Sequence, residues 1–184
     1  GKRALTINEG DEIISAHILS GDDTVFMISR NGISIRFHES DVRAMGRTAA
    51  GVRGMRLKKE DYIVGASVLE PSTEKTILTV TENGFGKRSP AEDYRIQRRG
   101  GKGVFAIKPS DRNGAIVGSM IVEDDQEVIL IADSGKMIRM GLENVRVIGR
   151  TTQGVTLINL EEGERVVAMD ILALEESEEE DGGE

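Results

Sequence analysis

Near the middle of the chain, the seven residues Gln97-Arg98-Arg99-Gly100-Gly101-Lys102-Gly103 place three cations among three glycines. That composition suits a loop that comes close to phosphate, since arginine and lysine supply charge-assisted donors and glycine lets the backbone turn sharply. A flexible linker and one turn of a repeat are the competing readings. Other chemistry is poorly supported. Gly46 with Gly51, and Gly149 with Gly154, have the glycine spacing of half a nucleotide-binding phosphate loop, but valine follows where lysine and a hydroxyl residue are needed. His17 and His38 are the only histidines and have no metal-site spacing to carboxylates. Tyr94 aligns with Val42 and Val145, which favours packing over nucleophilic use, and Tyr62 has no partner pattern. The run Glu123, Asp124, Asp125 and Glu127 reads as a solvated turn. No catalytic constellation and no metal site is expected.

The loop is positioned by a repeat. GVRGMRL at Gly51, GVFAIKP at Gly103 and GVTLINL at Gly154 align, with GKRALTI at Gly1 as a fourth copy. A second ladder, SRNGISIRF, TENGFGKRS and ADSGKMIRM, sets Gly32, Gly84 and Gly135 at the same period of about 50 residues, which belongs to propeller-like or solenoid arrays. QRRGGKG is therefore the middle copy of a loop whose neighbours are GRTAAGV, Gly46 to Val52, and GRTTQGV, Gly149 to Val155.

Within one period the alternation predicts four short strands, at Ile13–Leu19, Thr24–Ser29, Ile33–His38 and Gly51–Leu57. The second and third flank Arg30-Asn31-Gly32, and Asn-Gly is a hairpin signal because both residues tolerate positive φ. The expected class is all-β, a radial array of four-stranded blades over residues 1–174. Its units run about 13–62, 63–115 and 116–165, with flanking strands 1–7 and 166–174. Three blades are fewer than a closed ring normally needs, so the chain reads as part of a longer array or as one that associates.

Charge is segregated along the chain. The net charge is −8, but residues 175–184, EESEEEDGGE, hold seven acids and no base, so the body is near −1 and the tail is expected to be disordered. Arginines recur at three stations: Arg36, Arg88 and Arg139; Arg43, Arg95 and Arg146; Arg47, Arg99 and Arg150. The middle copy adds Lys87, Arg98 and Lys102. Equivalent residues of stacked repeats fall along one edge, so these predict a basic track suited to a regular polyanion, with duplex DNA favoured over an acidic protein. Gln97, Gly100, Gly101 and Gly103 complete the candidate DNA-binding loop, the glycines to bring backbone near phosphate. With no Trp, four Phe and two Tyr, stacking on single-stranded bases is not expected. No cysteine, no signal-peptide pattern and no apolar run of membrane length point to a cytoplasmic setting.

QRRGGKG resembles the seven-residue gyrase-A box of the DNA gyrase A C-terminal domain, and VRAMGRTAAGVRGMRL and NGFGKR are similar to that family's blades. The resemblance covers residues 1 to about 174. It implies a β-pinwheel, here the last three blades of a six-bladed domain, that bends double-stranded DNA round a basic rim to support ATP-dependent negative supercoiling. It also implies that this chain is not itself catalytic. The cleavage tyrosine, ATP and Mg sites would lie elsewhere in an A2B2 complex with the rest of the gyrase A protein and with the gyrase B protein. That complex would be cytoplasmic and nucleoid-associated, in a bacterium. The acidic tail, residues 175–184, resembles family tails that restrain wrapping. The family usually carries the complete box in its first blade, whereas here it lies in the middle unit. The alternatives are the related C-terminal domain of the topoisomerase IV A protein, whose boxes are fewer or degraded, and a propeller-like protein-interaction scaffold.

Overall fold

The computed structural model describes residues 1–2, 4–71, 74–108 and 110–172. Its strands are β1 (Thr24–Ser29), β2 (Ile33–His38), β3 (Ile63–Leu69), β4 (Thr76–Thr81), β5 (Phe85–Pro90), β6 (Val104–Phe105), β7 (Ile116–Val122), β8 (Glu127–Ala132), β9 (Met137–Gly141), β10 (Val155–Thr156) and β11 (Val166–Leu172). Single 3-10 turns follow each hairpin, at Glu39–Asp41, Ala91–Asp93 and Leu142–Asn144. The strands form three antiparallel sheets in the orders β3-β1-β2-β6, β10-β5-β4-β7 and β11-β8-β9. The fold is all-β and propeller-like.

Each sheet is nucleated by a hairpin. In the first, Val25 pairs with Phe37 and Met27 with Ile35, and alternate side chains turn to opposite faces. The turn closes through the Gly32 N–H to the Ser29 carbonyl at 2.9 Å, and Gly84 and Gly135 repeat that bond at 3.0 Å each. Gly32 has φ +79°, but Asn31 does not share the positive φ expected of it; Glu60 is the one described non-glycine residue with positive φ. The loop is therefore three residues long and ends on a left-handed glycine, so Gly32 rather than the Asn-Gly pair is its conformational requirement.

Sheets stack face to face, so the core is laid down between them. Phe26, Ile28 and Leu69 of the first sheet meet Ile77, Ala91, Tyr94 and Ile116 of the second region. Leu78, Val80 and Val122 meet Val128, Leu130, Leu142, Leu157 and Val166 on the other side. All six residues of β4 are consequently buried, whereas β8 alternates buried and half-buried residues. Each aliphatic side chain enclosed this way contributes about 1.5–3 kcal/mol. Tyr94 packs edge-on against Phe26 with ring centroids 5.0 Å apart, which bears out its reading as a packing residue.

The sheets are not assembled as the sequence suggests. Among the described residues, no strand forms at Ile13–Leu19, at Gly51–Leu57 or at the flanking segment 1–7. The strand beside β1 comes instead from downstream, as β3, and the strand beside β2 is β6, from the next repeat. β10 adds to β5 in the same manner. A box segment thus belongs to the preceding hairpin. Residues 51–57 have no such hairpin among the described residues and form no strand; they bond instead to the box loop, through the Gly54 carbonyl and the Arg56 N–H. The acidic segment 175–184 lies outside the described residues.

Candidate nucleic-acid interface

The box loop lies along the outer strand of the preceding sheet. The Gln97 N–H donates to the Arg36 carbonyl at 2.7 Å, and the Ile148 N–H donates to Arg88 at 2.9 Å in the next copy. After each loop the chain crosses so close to the sheet that a side chain cannot fit. A Cβ on Gly103 would sit 2.4 Å from the Ser34 carbonyl oxygen, and one on Gly154 would sit 2.5 Å from that of Gly86. Both residues also have positive φ, +71° and +80°. These glycines are explained by contact between repeats. Gly100 shares only the positive φ, +76°, since a Cβ there would lie 3.6 Å from its nearest neighbour; its N–H donates to the Gly54 carbonyl at 2.6 Å, while the Gly101 carbonyl accepts from the Arg56 N–H at 2.8 Å. The Gly100 N–H and the Gly101 carbonyl are thus engaged by protein partners, and Gly103 serves the connection between strands that its recurrence in the repeat suggests.

The recurring cations divide into two kinds. Arg88 is buried; its Nε donates to Thr76 Oγ1 at 2.9 Å, one terminal nitrogen donates to the Leu142 carbonyl at 2.8 Å, and the other pairs with Asp124. Arg36 repeats this with Thr24 Oγ1 at 2.8 Å and the Ala91 carbonyl at 3.0 Å, and partial burial lowers its pKa. Each of these guanidinium groups therefore holds the 3-10 turn of the following repeat. Arg139 pairs with Glu127 and remains exposed. Lys87 is fully buried, with its Nζ donating to the carbonyls of Gly149, at 3.0 Å, and Arg150. Burial first, and the Arg150 charge second, push it down to about 8. Arg99 reaches back to the Asp41 carbonyl at 2.9 Å and the Arg53 carbonyl at 2.7 Å. Arg150 does the same to Asp93 at 3.2 Å and Phe105 at 2.6 Å. Lys87 and Arg88, both buried, and Arg36 are thus bolts between repeats, and Arg99 and Arg150 each have two of their five guanidinium N–H donors engaged.

The second kind is free. Arg43, Arg95 and Arg146, at equivalent positions after each 3-10 turn, are exposed and make no hydrogen bond or ion pair among the described residues. Arg98, Lys102 and Arg47 share that state, and Gln97 is half-buried. Two stations escaped the sequence reading: exposed Arg53 and Arg56 in the segment against which the box lies, and Lys108, the register equivalent of Arg56. The signal was in the repeat, five residues after Gly51 and Gly103, but it lay outside the stretch between hairpin glycine and box. Among the described residues no group of three or more His, Asp or Glu side chains is arranged to hold a metal ion.

Stacked sheets that exchange strands define a propeller-type repeat domain, with exposed cations at matching positions of its repeats. The chain belongs to the DNA gyrase C-terminal domain family: the family model described as DNA gyrase C-terminal domain, beta-propeller, matches residues 1–20, 23–70, 75–123 and 126–173. The DNA gyrase A protein of Klebsiella oxytoca is 45% identical over 170 residues, 92% of this chain and 19% of that protein. The Chlamydia pneumoniae gyrase A protein is 43% identical over 182 residues, 98% of this chain and 22% of that one. The chain thus spans about a fifth of the length of these relatives. A solved DNA gyrase A C-terminal domain matches with TM-score 0.78 and 30% identity, over 90% of this chain and 56% of that one. A crystal structure of the C-terminal domain of DNA topoisomerase IV matches with TM-score 0.83 and 26% identity, over 90% and 52%.

Proposed function

We propose that this chain is a non-catalytic module that binds double-stranded DNA along its rim and bends it. The observation that carries the reading is the row of Arg43, Arg95 and Arg146, exposed, unpartnered among the described residues and repeated once per blade. Arg98 and Lys102 enrich the middle copy. A solvated surface needs charge for solubility but has no need of one sign at one station in each repeat. Phosphates along a duplex are a regular line of charge, and engaging them gives affinity that is sequence-independent and falls with salt. The bolts matter to the same function. Because Lys87, Arg88, Arg99 and Arg150 fix the loops in place, little ordering is left to oppose binding, and a rigid curved rim can offset the several kcal/mol that bending a short duplex costs.

In the longer protein this module would present a bent DNA segment to a catalytic core, supporting ATP-dependent negative supercoiling within an A2B2 gyrase, with cleavage and ATP hydrolysis carried by other parts. Such a complex would act in the cytoplasm on the nucleoid. The test is neutralisation of Arg95, Arg98 and Lys102 to glutamine. Affinity for any duplex should drop, and the plot of log K against log salt should flatten by roughly 0.9 for each phosphate no longer neutralised. An unchanged slope rejects the DNA reading and leaves an acidic protein partner as the alternative.

A further inference from the structure

After the second and third 3-10 turns the chain crosses to the outer hairpin strand of the preceding sheet, where Ile96 bridges to Arg36 and Val147 to Arg88. The next residue of each copy ties the backbone down, the Gln97 N–H on the Arg36 carbonyl at 2.7 Å and the Ile148 N–H on that of Arg88 at 2.9 Å. Tyr94 and Val145, at the start of each crossing, are buried. Arg95 and Arg146 follow and are exposed, and the β-branched aliphatics after them are exposed as well, Ile96 and Val147 each at 45%. A free cation and an aliphatic side chain thus adjoin on the outer surface of two consecutive sheets.

We propose that Ile96 and Val147 are DNA contacts of a second kind: they pack on deoxyribose rings beside the phosphates that Arg95 and Arg146 engage, and supply affinity that salt does not remove. This rests on the DNA reading above and adds an apolar component to it.

Single exposed aliphatics are ordinary on a protein surface, but register sets these two apart. Beyond residue 60 they are, among the described residues, the only exposed large apolar side chains at equivalent stations of two repeats. The first copy has Ala44 there, so the station is apolar in all three copies and follows an arginine in all three. Nor is the exposure an effect of the chain's ends: the loop bearing Val147 lies on the middle sheet, which packs against a sheet on either side.

Duplex DNA has the matching pattern. Its backbone alternates an anionic phosphate with a deoxyribose ring that presents mostly carbon and hydrogen, so a guanidinium beside an aliphatic group meets both in turn. An acidic protein surface carries its carboxylates on flexible stems, with no apolar ring at fixed spacing between them. Little ordering opposes the contact, because the backbone is already bonded to the sheet and a β-branched side chain has few χ1 states to lose.

The test is calorimetric titration of the 184-residue chain with a duplex long enough to span both loops, over a range of salt and temperature. Ile96→Thr and Val147→Thr keep a β-branched side chain and exchange apolar for polar surface. Each should weaken binding roughly three- to tenfold, as burial of about half an aliphatic side chain implies, and make the heat-capacity change of binding less negative. The slope of log K against log salt should stay that of the wild type, because no phosphate contact is lost. Ile96→Leu, which remains apolar, should bind within roughly twofold of the wild type and keep its heat-capacity change. Threonine variants equal to the wild type in affinity and heat capacity overturn the proposal. So do variants that lower the salt slope, which would make the two residues supports for their arginines, and a leucine variant as weak as the threonine one. A wild-type chain that leaves the duplex unbound at low salt removes the DNA reading and this one together, whereas binding that only arginine variants weaken removes this one alone.

Discussion

At the scale of single residues, a cation's sequence context does not say whether it holds the fold or faces solvent. Lys87 and Lys102 sit in one repeat, yet the first is enclosed against two carbonyl groups and the second is exposed. Their titration should differ accordingly. Below about pH 8 Lys87 is protonated in both the folded and the unfolded chain, so its burial penalty is constant. Between about 8 and 10.5 the unfolded chain keeps the proton and the folded one releases it, so stability rises with pH. Tyr94, pushed by burial up to about 12 from 10.0, works in the opposite sense, and its contribution falls between those two values. Comparing the thermal midpoints of wild type and Lys87→Met from about pH 7.5 to about 10 isolates the lysine. The wild type should gain on the variant across that window, beyond a constant offset from the two carbonyls the variant leaves bare. A constant difference at every pH would show that Lys87 is not desolvated as the fold requires.

At the scale of elements, the fold rests on where one repeat crosses another. Gly103→Ala and Gly154→Ala each add a methyl group within 2.5 Å of a carbonyl oxygen in the preceding sheet, at positive φ. Each should cost about 2–4 kcal/mol in urea denaturation. Gly163→Ala is the control: it has φ +88° with open space around it, so only backbone strain applies and about 1 kcal/mol is expected. Equal costs at all three sites would remove close approach from the explanation. The same crossings mark what sequence could and could not reveal. β1 and β2 were legible because their pairing is local, an alternating pattern on either side of a turn glycine. Ile13–Leu19 and Ile63–Leu69 have the same pattern, but only the second has a hairpin beside it and becomes a strand. Strand formation there depends on a distant partner, which alternation does not encode. In the site, the arginine period was legible for the same reason that any repeat is. The division into bolts and free cations was not, because the bolts' acceptors are mostly backbone carbonyls of neighbouring repeats, such as Ala91, Leu142, Gly149 and Arg53.

At the scale of the whole molecule, the proposed DNA binding admits two geometries, a duplex that follows the array or one that docks at the one enriched loop. Equivalent positions in stacked repeats bear the same relation to the rim, so a duplex that tracks it should meet Arg43, Arg95 and Arg146 in turn. Each is exposed and uncommitted, so substitution should leave packing intact, unlike Arg88→Met, which removes a buried guanidinium with three protein partners and should loosen β8, β9 and β11 in hydrogen exchange. Arg43→Gln, Arg95→Gln and Arg146→Gln, tested singly on a duplex long enough to span the domain, separate the alternatives. If DNA tracks the rim, all three lower the salt slope by similar amounts, roughly 0.9 each, and the double substitution Arg43→Gln with Arg146→Gln lowers it by their sum, since the sites share no partner. If DNA docks locally, only Arg95→Gln acts, because Arg98 and Lys102 lie in its repeat. Shortening the duplex then discriminates further. A tracking mode releases the outermost phosphates first, so a short duplex should no longer sense Arg43→Gln or Arg146→Gln, whereas a local mode should be indifferent to length beyond a few base pairs.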